Sequence, residues 1–224
     1  MARLPEHVLI RPLGFADLDQ VVKLESHTFP SNERAGRERM RYRLHAAPEL
    51  SSGMFVRVPS KKGRCIKKDC SRAQRSRSSD SASSTSSDSS EKLIAFVIGT
   101  KCAGEYISDD ALAIPEVDKQ GHRKTTEGND RRGHVETGNT IAIESICVDP
   151  DYQGMKLGTT ILRDFVQRMS TQAVAERITL LARQDMIPFY ENLGFYNAGS
   201  STVKFGGGGW NNLWMSLEDG EVDD

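Results

Sequence analysis

The stretch that most constrains the fold runs from residue 141 to 165 and reads IAIESICVDPDYQGMKLGTTILRDF. Its first half is apolar and β-branched, which predicts a strand over 140–148. Pro150 ends the pairing of that strand because proline has no N–H to donate. From residue 159 onward the apolar side chains recur at helical spacing. The stretch therefore predicts a strand joined by a short glycine-containing loop to an amphipathic helix.

The remaining sequence predicts alternating strands and helices. Apolar and β-branched runs predict strands at 7–13, 54–58, 93–100, 177–182 and 213–217. Helical spacing predicts helices at 16–29, 35–46 and 187–194, the last closed by Gly194. The order β-α-α-β-β-β-α-β-α-β indicates a mixed α/β (α+β) fold in one domain, which we place at 7–217.

A serine-rich segment interrupts this domain. Residues 71–90 contain 11 serines and no large apolar side chain, so they cannot bury enough surface to offset the entropy of ordering them. We expect a disordered insertion over 59–91, and a frayed acidic tail over 218–224. The insertion carries Arg-Ser and Ser-Asp patterns that suit a kinase or a phospho-binding partner. An unregulated low-complexity insertion is the alternative.

Charge and cysteine content exclude several classes of protein. The formal net charge is −1, which argues against a nucleic-acid-binding surface. No apolar run approaches the roughly 20 residues needed to span a bilayer, and no signal-peptide core is evident. Cys65 and Cys70 have no second Cys or His pair nearby to complete a zinc site. We therefore expect a protein of the cytosol or nucleus, with no metal and no nucleic-acid or membrane partner. The sequence does not give the oligomeric state, for which a monomer is our expectation.

The loop between the predicted strand and helix has two interpretations. The first N–H groups of a helix have no partner within the helix, and its N-terminus is the positive end of its dipole. Gly154 and Gly158 allow close approach of a ligand, so the loop could cradle a phosphate. It could equally be an ordinary strand-turn-helix joint. The spacing fits neither a P-loop nor a dinucleotide-binding fingerprint.

The motif Val148-Asp149-Pro150-Asp151-Tyr152-Gln153-Gly154-Met155-Lys156-Leu157-Gly158 resembles the acetyl-CoA loop of the GNAT acetyltransferases. IPFYENLGF at 187–195 is similar to the C-terminal helix motif of that family. APELSSGMF (47–55) and LIAFVIGT (93–100) resemble its serotonin N-acetyltransferase-like enzymes, which act on arylalkylamines and polyamines. FPSNERA (29–35) and FGGGGWNNLWM (205–215) resemble the fungal members. The resemblance implies a mixed, mostly antiparallel sheet flanked by helices, with acetyl-CoA as co-substrate and no metal.

The resemblance also implies the site residues. The expected contacts of acetyl-CoA are Ile146, Cys147, Val148, Gln153, Gly154, Met155, Lys156, Leu157, Gly158 and Thr159. The expected catalytic residues are Glu144 as the base, Tyr190 as the acid that protonates the thiolate, and His134. We expect a strand N–H near Ile146 to stabilise the oxyanion. The Cys147 side chain is expected to pack rather than act as a nucleophile.

Two positions depart from the family pattern. Lys156 occupies a position at which the family usually has glycine, where it could add a cation for the pyrophosphate or could crowd it. Glu144 lies in the segment Ile143–Ile146, where the subfamily typically has a His. On a regular strand, Glu144, Ile146 and Val148 would share one face. A glutamate at or near this position is a usual base in other GNAT enzymes.

The choice of acceptor is less constrained by the sequence. Phe29, Pro30 and Pro48 are expected to form the wall of an amine pocket. Apolar walls would suit an arylalkylamine, whereas spaced carboxylates such as Glu33 and Glu49 would suit a polyamine. Both acceptors stay open at this point. A protein or histone lysine acetyltransferase and a non-catalytic CoA-binding module are the alternatives.

Overall fold

The computed structural model describes residues 7–59, 89–118, 123–124 and 130–217. The strands in this part of the chain are Val8–Arg11 (β1), Ser51–Pro59 (β2), Ser89–Cys102 (β3), Thr140–Val148 (β4), Arg177–Ala182 (β5), Tyr196–Ser200 (β6) and Asn211–Ser216 (β7). The α-helices are Leu18–Thr28 (α1), Arg37–Ala46 (α2), Asp109–Leu112 (α3), Leu157–Gln172 (α4) and Ile187–Glu191 (α5). The strands form one sheet in the order β1-β2-β3-β4-β5-β7-β6.

The sheet is antiparallel at every described pair except β4 with β5. This parallel pairing covers only Thr140–Ile143 of β4 and Arg177–Leu180 of β5. Beyond Ile143, β4 continues to Val148 paired with β3 alone. The two central strands therefore separate, and the sheet has an opening between them.

Helices cover the two faces of the sheet. α4 packs on one face through Ile161, Leu162, Phe165 and Met169, which are all fully buried. Burying such a side chain contributes about 1.5–3 kcal/mol relative to leaving it exposed. α1 and α2 cover the other face and pack against side chains that include Phe96 of β3. The sheet is mixed, mostly antiparallel and flanked by helices, as expected from the sequence.

Most predicted elements are confirmed, with corrected ends. The strands predicted at 140–148 and 177–182 have those limits in the structure. β2 and β3 are longer than predicted, so the expected insertion over 59–91 overlaps a strand at both ends. Its central part, 60–88, and the predicted tail, 218–224, lie outside the described residues.

Two elements were missed by the sequence reading. β6 has the sequence YNAGS, which lacks alternating apolar residues because the strand is largely exposed at the edge of the sheet. α3 is a single helical turn, with Ser108 accepting a hydrogen bond from the N–H of Ala111. Neither carries a periodic signal long enough to separate it from a loop.

Candidate active site

A cavity of about 660 Å³ lies at the opening between β4 and β5. Its lining residues come from segments within 25–43, 107–112, 143–159, 180–190 and 205–210. Small-molecule and cofactor sites typically have volumes of about 300–1,000 Å³. One side of the cavity is formed by β4 and the loop before α4, and the other by α1, α2 and the loops around α3 and β7.

The edge of β4 directs backbone groups that are not paired with β3 into this opening. The Asp149 N–H donates to the Ile94 carbonyl at 2.8 Å, which fixes the alternation along the antiparallel β3–β4 pair. By that alternation Cys147 bonds β3, while the backbone groups of Ile146 and Val148 are directed to the open side. The side chain of Gln153 donates to the Val148 carbonyl from that side at 3.3 Å. An extended ligand can therefore pair here as an added strand.

The loop before α4 presents a series of free N–H groups. Those of residues 154–159 have no hydrogen-bond partner among the described residues, and the Thr160 N–H is the first that bonds back, to the Lys156 carbonyl at 3.0 Å. Gly154 has a φ of 76°, and Lys156 adopts the left-handed conformation with a φ of 60°. Free N–H groups at a helix N-terminus are a ready site for phosphate. This geometry supports the phosphate-cradle interpretation over an ordinary joint.

Gly158 is not required by packing within the chain. A Cβ built there would lie 3.5 Å from Phe189 Cζ and 3.5 Å from Val148 Cγ2, which is ordinary van der Waals contact. Since the chain itself has room for a methyl group, the glycine leaves space at the cavity wall for a ligand.

Two of the expected cofactor contacts are not brought to the cavity wall. The structure places Ile146, Val148, Gln153, Gly154, Lys156, Leu157, Gly158 and Thr159 there. Met155 instead packs, half-buried, against the core under α4. Cys147 is fully buried on the α1 side, where its thiol donates to the Glu25 carboxylate at 3.1 Å. Burial and the neighbouring Glu25 raise the pKa of this thiol, which agrees with a packing role.

A bulge in β4 changes the predicted position of Glu144. Ser145 lies opposite Ile98 and Ile143 lies opposite Gly99, so Glu144 is an extra residue in the strand. The expected alternation, in which Glu144 shares a face with Ile146 and Val148, is therefore wrong.

The bulge directs Glu144 towards α2. Its carboxylate forms an ion pair with Arg43 and accepts a hydrogen bond from the Thr100 hydroxyl. The side chains of Arg43 and Glu144 are only 4% and 2% exposed. Both residues also line the cavity.

His134 lies away from the cavity wall. Its Nδ1 accepts a hydrogen bond from the Lys101 N–H at 3.1 Å, and its Nε2 is 2.9 Å from Glu136 Oε2. Both ring nitrogens therefore have partners. The catalytic role that the resemblance implied for His134 has no support in this geometry.

Tyr190 of α5 lies on the cavity wall close to the open edge of β4. Its ring makes edge-on contacts with Phe189 and Phe195, with ring centroids 5.0 and 5.8 Å away. Burial raises the pKa of this phenol, and the nearby Cys147 adds to the rise. The phenol is thus protonated throughout the neutral pH range and can act as a proton donor.

The acceptor side of the cavity has mostly apolar walls. Phe29 is there as expected, whereas Pro30 and Pro48 are not among the lining residues. The aromatic and aliphatic side chains that join Phe29 are Ile107, Leu112, Phe205 and Trp210.

The acceptor side also has four charged residues, Glu25, Glu33, Arg43 and Arg183. Of these, only Glu33 was suggested from the sequence, as a contact for a polyamine. Glu33 is paired with Arg183, which also lies 3.8 Å over the ring of Trp210. Glu25 accepts hydrogen bonds from the Ala35 N–H at 2.8 Å and the Ser145 hydroxyl at 2.6 Å. Arg43 is the fourth. They come from separate segments that no short motif connects.

No group of three His, Cys, Asp or Glu residues suited to a metal ion occurs in the described ranges. Within the same part of the chain, no helix has the length and apolar character needed to cross a membrane.

Comparison with known proteins matches residues 85–209 to the family model described as Acetyltransferase (GNAT) domain. The uncharacterized N-acetyltransferase ycf52 of Pyropia yezoensis is 34% identical over 64 residues, which cover 29% of this chain and 36% of that protein. The serotonin N-acetyltransferase of Mesocricetus auratus is 22% identical over 115 residues, covering 51% and 46%. These matches span less than half the length of either curated relative.

Solved structures share the fold at low identity. The PaiA N-acetyltransferase from Thermoplasma acidophilum, determined in complex with coenzyme A, has a TM-score of 0.53 and 12% identity. The match covers 93% of this chain and 98% of that one. At this identity the likeness shows the fold alone.

Proposed function

This chain belongs to the GNAT acetyltransferase family, and we propose that it is an acetyl-CoA-dependent N-acetyltransferase acting on the primary amine of a small molecule. The observation that carries the proposal is that two sets of backbone groups, one in the loop before α4 and one at the edge of β4, lie next to each other on the cavity wall. The free N–H groups of 154–159 can bind a pyrophosphate, and the open edge at Ile146 and Val148 can pair with pantetheine amides. Together they would bring the thioester next to Tyr190.

The proposed reaction is direct transfer. The substrate ammonium loses a proton, and the free amine attacks the thioester carbonyl carbon. The N–H of Ile146, which is directed to the open edge, would stabilise the resulting oxyanion. When the C–S bond breaks, Tyr190 would donate its phenolic proton to the departing thiolate.

Two carboxylates are candidates for receiving the ammonium proton. Glu144 is the candidate from the sequence, but its charge is already balanced by the buried ion pair with Arg43. Glu25 instead accepts hydrogen bonds from uncharged donors, namely the Ala35 N–H, the Ser145 hydroxyl and the Cys147 thiol, and Ser145 lines the cavity. The Ser145 oxygen could therefore accept a proton from the substrate ammonium while the proton of its own hydroxyl moves to the Glu25 carboxylate. We favour Glu25 for this reason and retain Glu144 as the alternative.

The walls of the cavity favour an arylalkylamine over a polyamine. A polyamine needs several unpaired carboxylates along its path, because each ammonium must lose its hydration on entry. Glu33 and Glu144 are both paired with arginines, and Glu49 is not a lining residue. Phe29, Trp210 and the neighbouring apolar side chains suit an aromatic ring instead.

A free-thiol assay with acetyl-CoA tests this function. The panel consists of tryptamine, phenethylamine, spermidine and a lysine-containing peptide. We expect CoA release with the two aromatic amines to exceed that with spermidine by about tenfold or more, since an unpaired buried charge is costly. Faster turnover of the peptide would make the chain a protein acetyltransferase. Acetyl-CoA binding without turnover of any amine would indicate a non-catalytic module.

A further inference from the structure

Of the two terminal nitrogen atoms of the Arg43 guanidinium group, one is paired and one is not. The Nη2 atom pairs with the Glu144 carboxylate, while Nη1 is buried and has no hydrogen-bond partner among the described residues. The side chain is 96% buried, since only 4% of it is exposed, and Arg43 lines the cavity. Buried donors in folded proteins are nearly always paired, so an unpaired one needs an explanation.

The position of Arg43 relates it to the reacting atoms. Glu144, its partner, lies two residues along β4 from Ile146, where the acetyl group is expected. Arg43, Glu144 and Ile146 all line the same cavity. A ligand that has its amine at Ile146 can therefore direct its ring end towards the free N–H groups of Arg43.

The ion pair of Arg43 with Glu144 determines which kind of ligand group can use the free Nη1 atom. Arg43 is paired with Glu144, and the neighbouring Arg39 adds a second positive charge close to this pair. A ligand carboxylate would compete with Glu144 for the guanidinium group of Arg43. A neutral oxygen such as a phenolic hydroxyl or ring ether can accept from Nη1 and leave the buried pair intact.

We propose that Arg43 is a specificity-determining residue whose free Nη1 binds a neutral oxygen on the ring of the acceptor amine. The substrate class is then an arylalkylamine that carries a hydroxyl or ether oxygen distant from its amino group. This inference rests on the proposed function for the identity of the substrate, but the binding of the ring oxygen is independent of turnover.

The test compares 4-ethylphenol with ethylbenzene, which have no amine and differ only in the oxygen. Binding to the 224-residue chain with coenzyme A is followed by tryptophan fluorescence. A purely apolar wall would favour ethylbenzene, because the hydroxyl must lose its water. We expect instead that 4-ethylphenol binds about tenfold more tightly, as for a hydrogen bond to a charged donor. Kinetically, tyramine should exceed phenethylamine in kcat/KM by a similar factor.

Arg43→Lys is the decisive variant because the single ammonium nitrogen would be held by Glu144 and would leave no second donor nitrogen. We expect the preference for 4-ethylphenol to fall below about twofold. Arg41→Lys is the matched control, since Arg41 is an exposed residue of the same helix. The preference should be unchanged there. If Arg43→Lys has a low melting temperature, the double variant Arg43→Gln with Glu144→Gln provides an uncharged pair for the same binding measurement.

The outcomes separate this inference from the proposed function. Equal binding of the two ligands by the wild type, or an undiminished preference in Arg43→Lys, would overturn the role of Arg43 even if amines are acetylated. An Arg43-dependent preference in a protein that acetylates no amine would support the oxygen site and reject the acetyltransferase proposal.

Discussion

The two sides of the cavity are built differently. The side proposed for acetyl-CoA consists of backbone groups, namely the strand edge at Ile146 and Val148 and the free N–H groups of 154–159. These groups lie within 14 consecutive residues, from 146 to 159. The acceptor side consists of side chains from α1, α2 and the segments around 107–112 and 205–210. Its charged groups include the buried ion pair of Arg43 with Glu144.

The difference explains why one side can be read from sequence and the other cannot. A site made of backbone N–H groups depends on a local conformation, which glycines and proline specify at fixed spacing. A site made of paired side chains depends on which helices pack together, and a single strand bulge decides the direction of Glu144. We therefore expect substitutions on the two sides to change different quantities.

The largest effect is expected from replacing the general base, which lies on the side of the cavity proposed for the amine. Removing a general base typically costs about 10²–10⁴ in rate. We expect Glu25→Gln to lower kcat/KM by about 100-fold or more, and Glu144→Gln to lower it less. Steady-state kinetics of the two variants measure this. A larger loss in Glu144→Gln than in Glu25→Gln would return the role of base to Glu144.

Tyr190→Phe is expected to have the next largest effect, at the boundary between the two sides. The kcat value should fall by roughly 10- to 1,000-fold, because the thiolate loses its proton donor. Acetyl-CoA affinity should be nearly unchanged, since the ring contacts with Phe189 and Phe195 are retained. Burial raises the pKa of Tyr190, so the wild type should not lose this donor as pH rises through 7–9.

Tyr196→Phe, at a largely exposed tyrosine, is the control for Tyr190→Phe. An unchanged kcat in Tyr190→Phe would remove Tyr190 from the mechanism.

Gly158→Ala should weaken the coenzyme side without destabilising the protein. The added methyl group meets only ordinary contacts within the chain, and alanine favours a helix over glycine. It would crowd a bound pyrophosphate at about 1–3 kcal/mol, which raises the Kd of acetyl-CoA by about 5- to 150-fold. Calorimetric titration and a thermal melt measure the two quantities. Gly36→Ala, with no atom within 4 Å of the added Cβ, is the control. Unchanged affinity in Gly158→Ala would place the pyrophosphate elsewhere.

Lys156→Gly should have the smallest effect, and it should raise stability. Lys156 is the N-cap residue before α4 and has the left-handed conformation, which costs an L-residue about 1–2 kcal/mol. The greater freedom of glycine in the unfolded chain offsets part of this, which leaves about 0.5–1 kcal/mol. The melting temperature should rise by about 2 °C. Lys156→Ala keeps the strain and should not show this rise.

The same pair of variants examines the charge of Lys156. If its exposed ammonium contacts the pyrophosphate, both variants should weaken coenzyme A binding by at most about fivefold. Tighter binding by Lys156→Gly than by the wild type would mean that the lysine crowds the loop.

The sequence by itself determined the elements with long periodic signals and the coenzyme loop. β4 and β5 have their predicted limits, and α4 follows the predicted apolar face. Tyr190 and Gly158 line the cavity as the resemblance implied. These features are local, since strand alternation, helical spacing and glycine positions are specified within a few residues.

Only the tertiary structure decided the rest. The bulge at Glu144 arises from the register between β3 and β4, whose facing residues next to the bulge, Ile98 with Ser145 and Gly99 with Ile143, are 47 and 44 positions apart. That register turns Glu144 towards Arg43 and away from the face it would share with Ile146. The Glu25–Ser145 contact likewise joins residues 120 positions apart. Such pairs depend on helix packing over the sheet, and the energy of one buried contact is not expressed in any local pattern of residues.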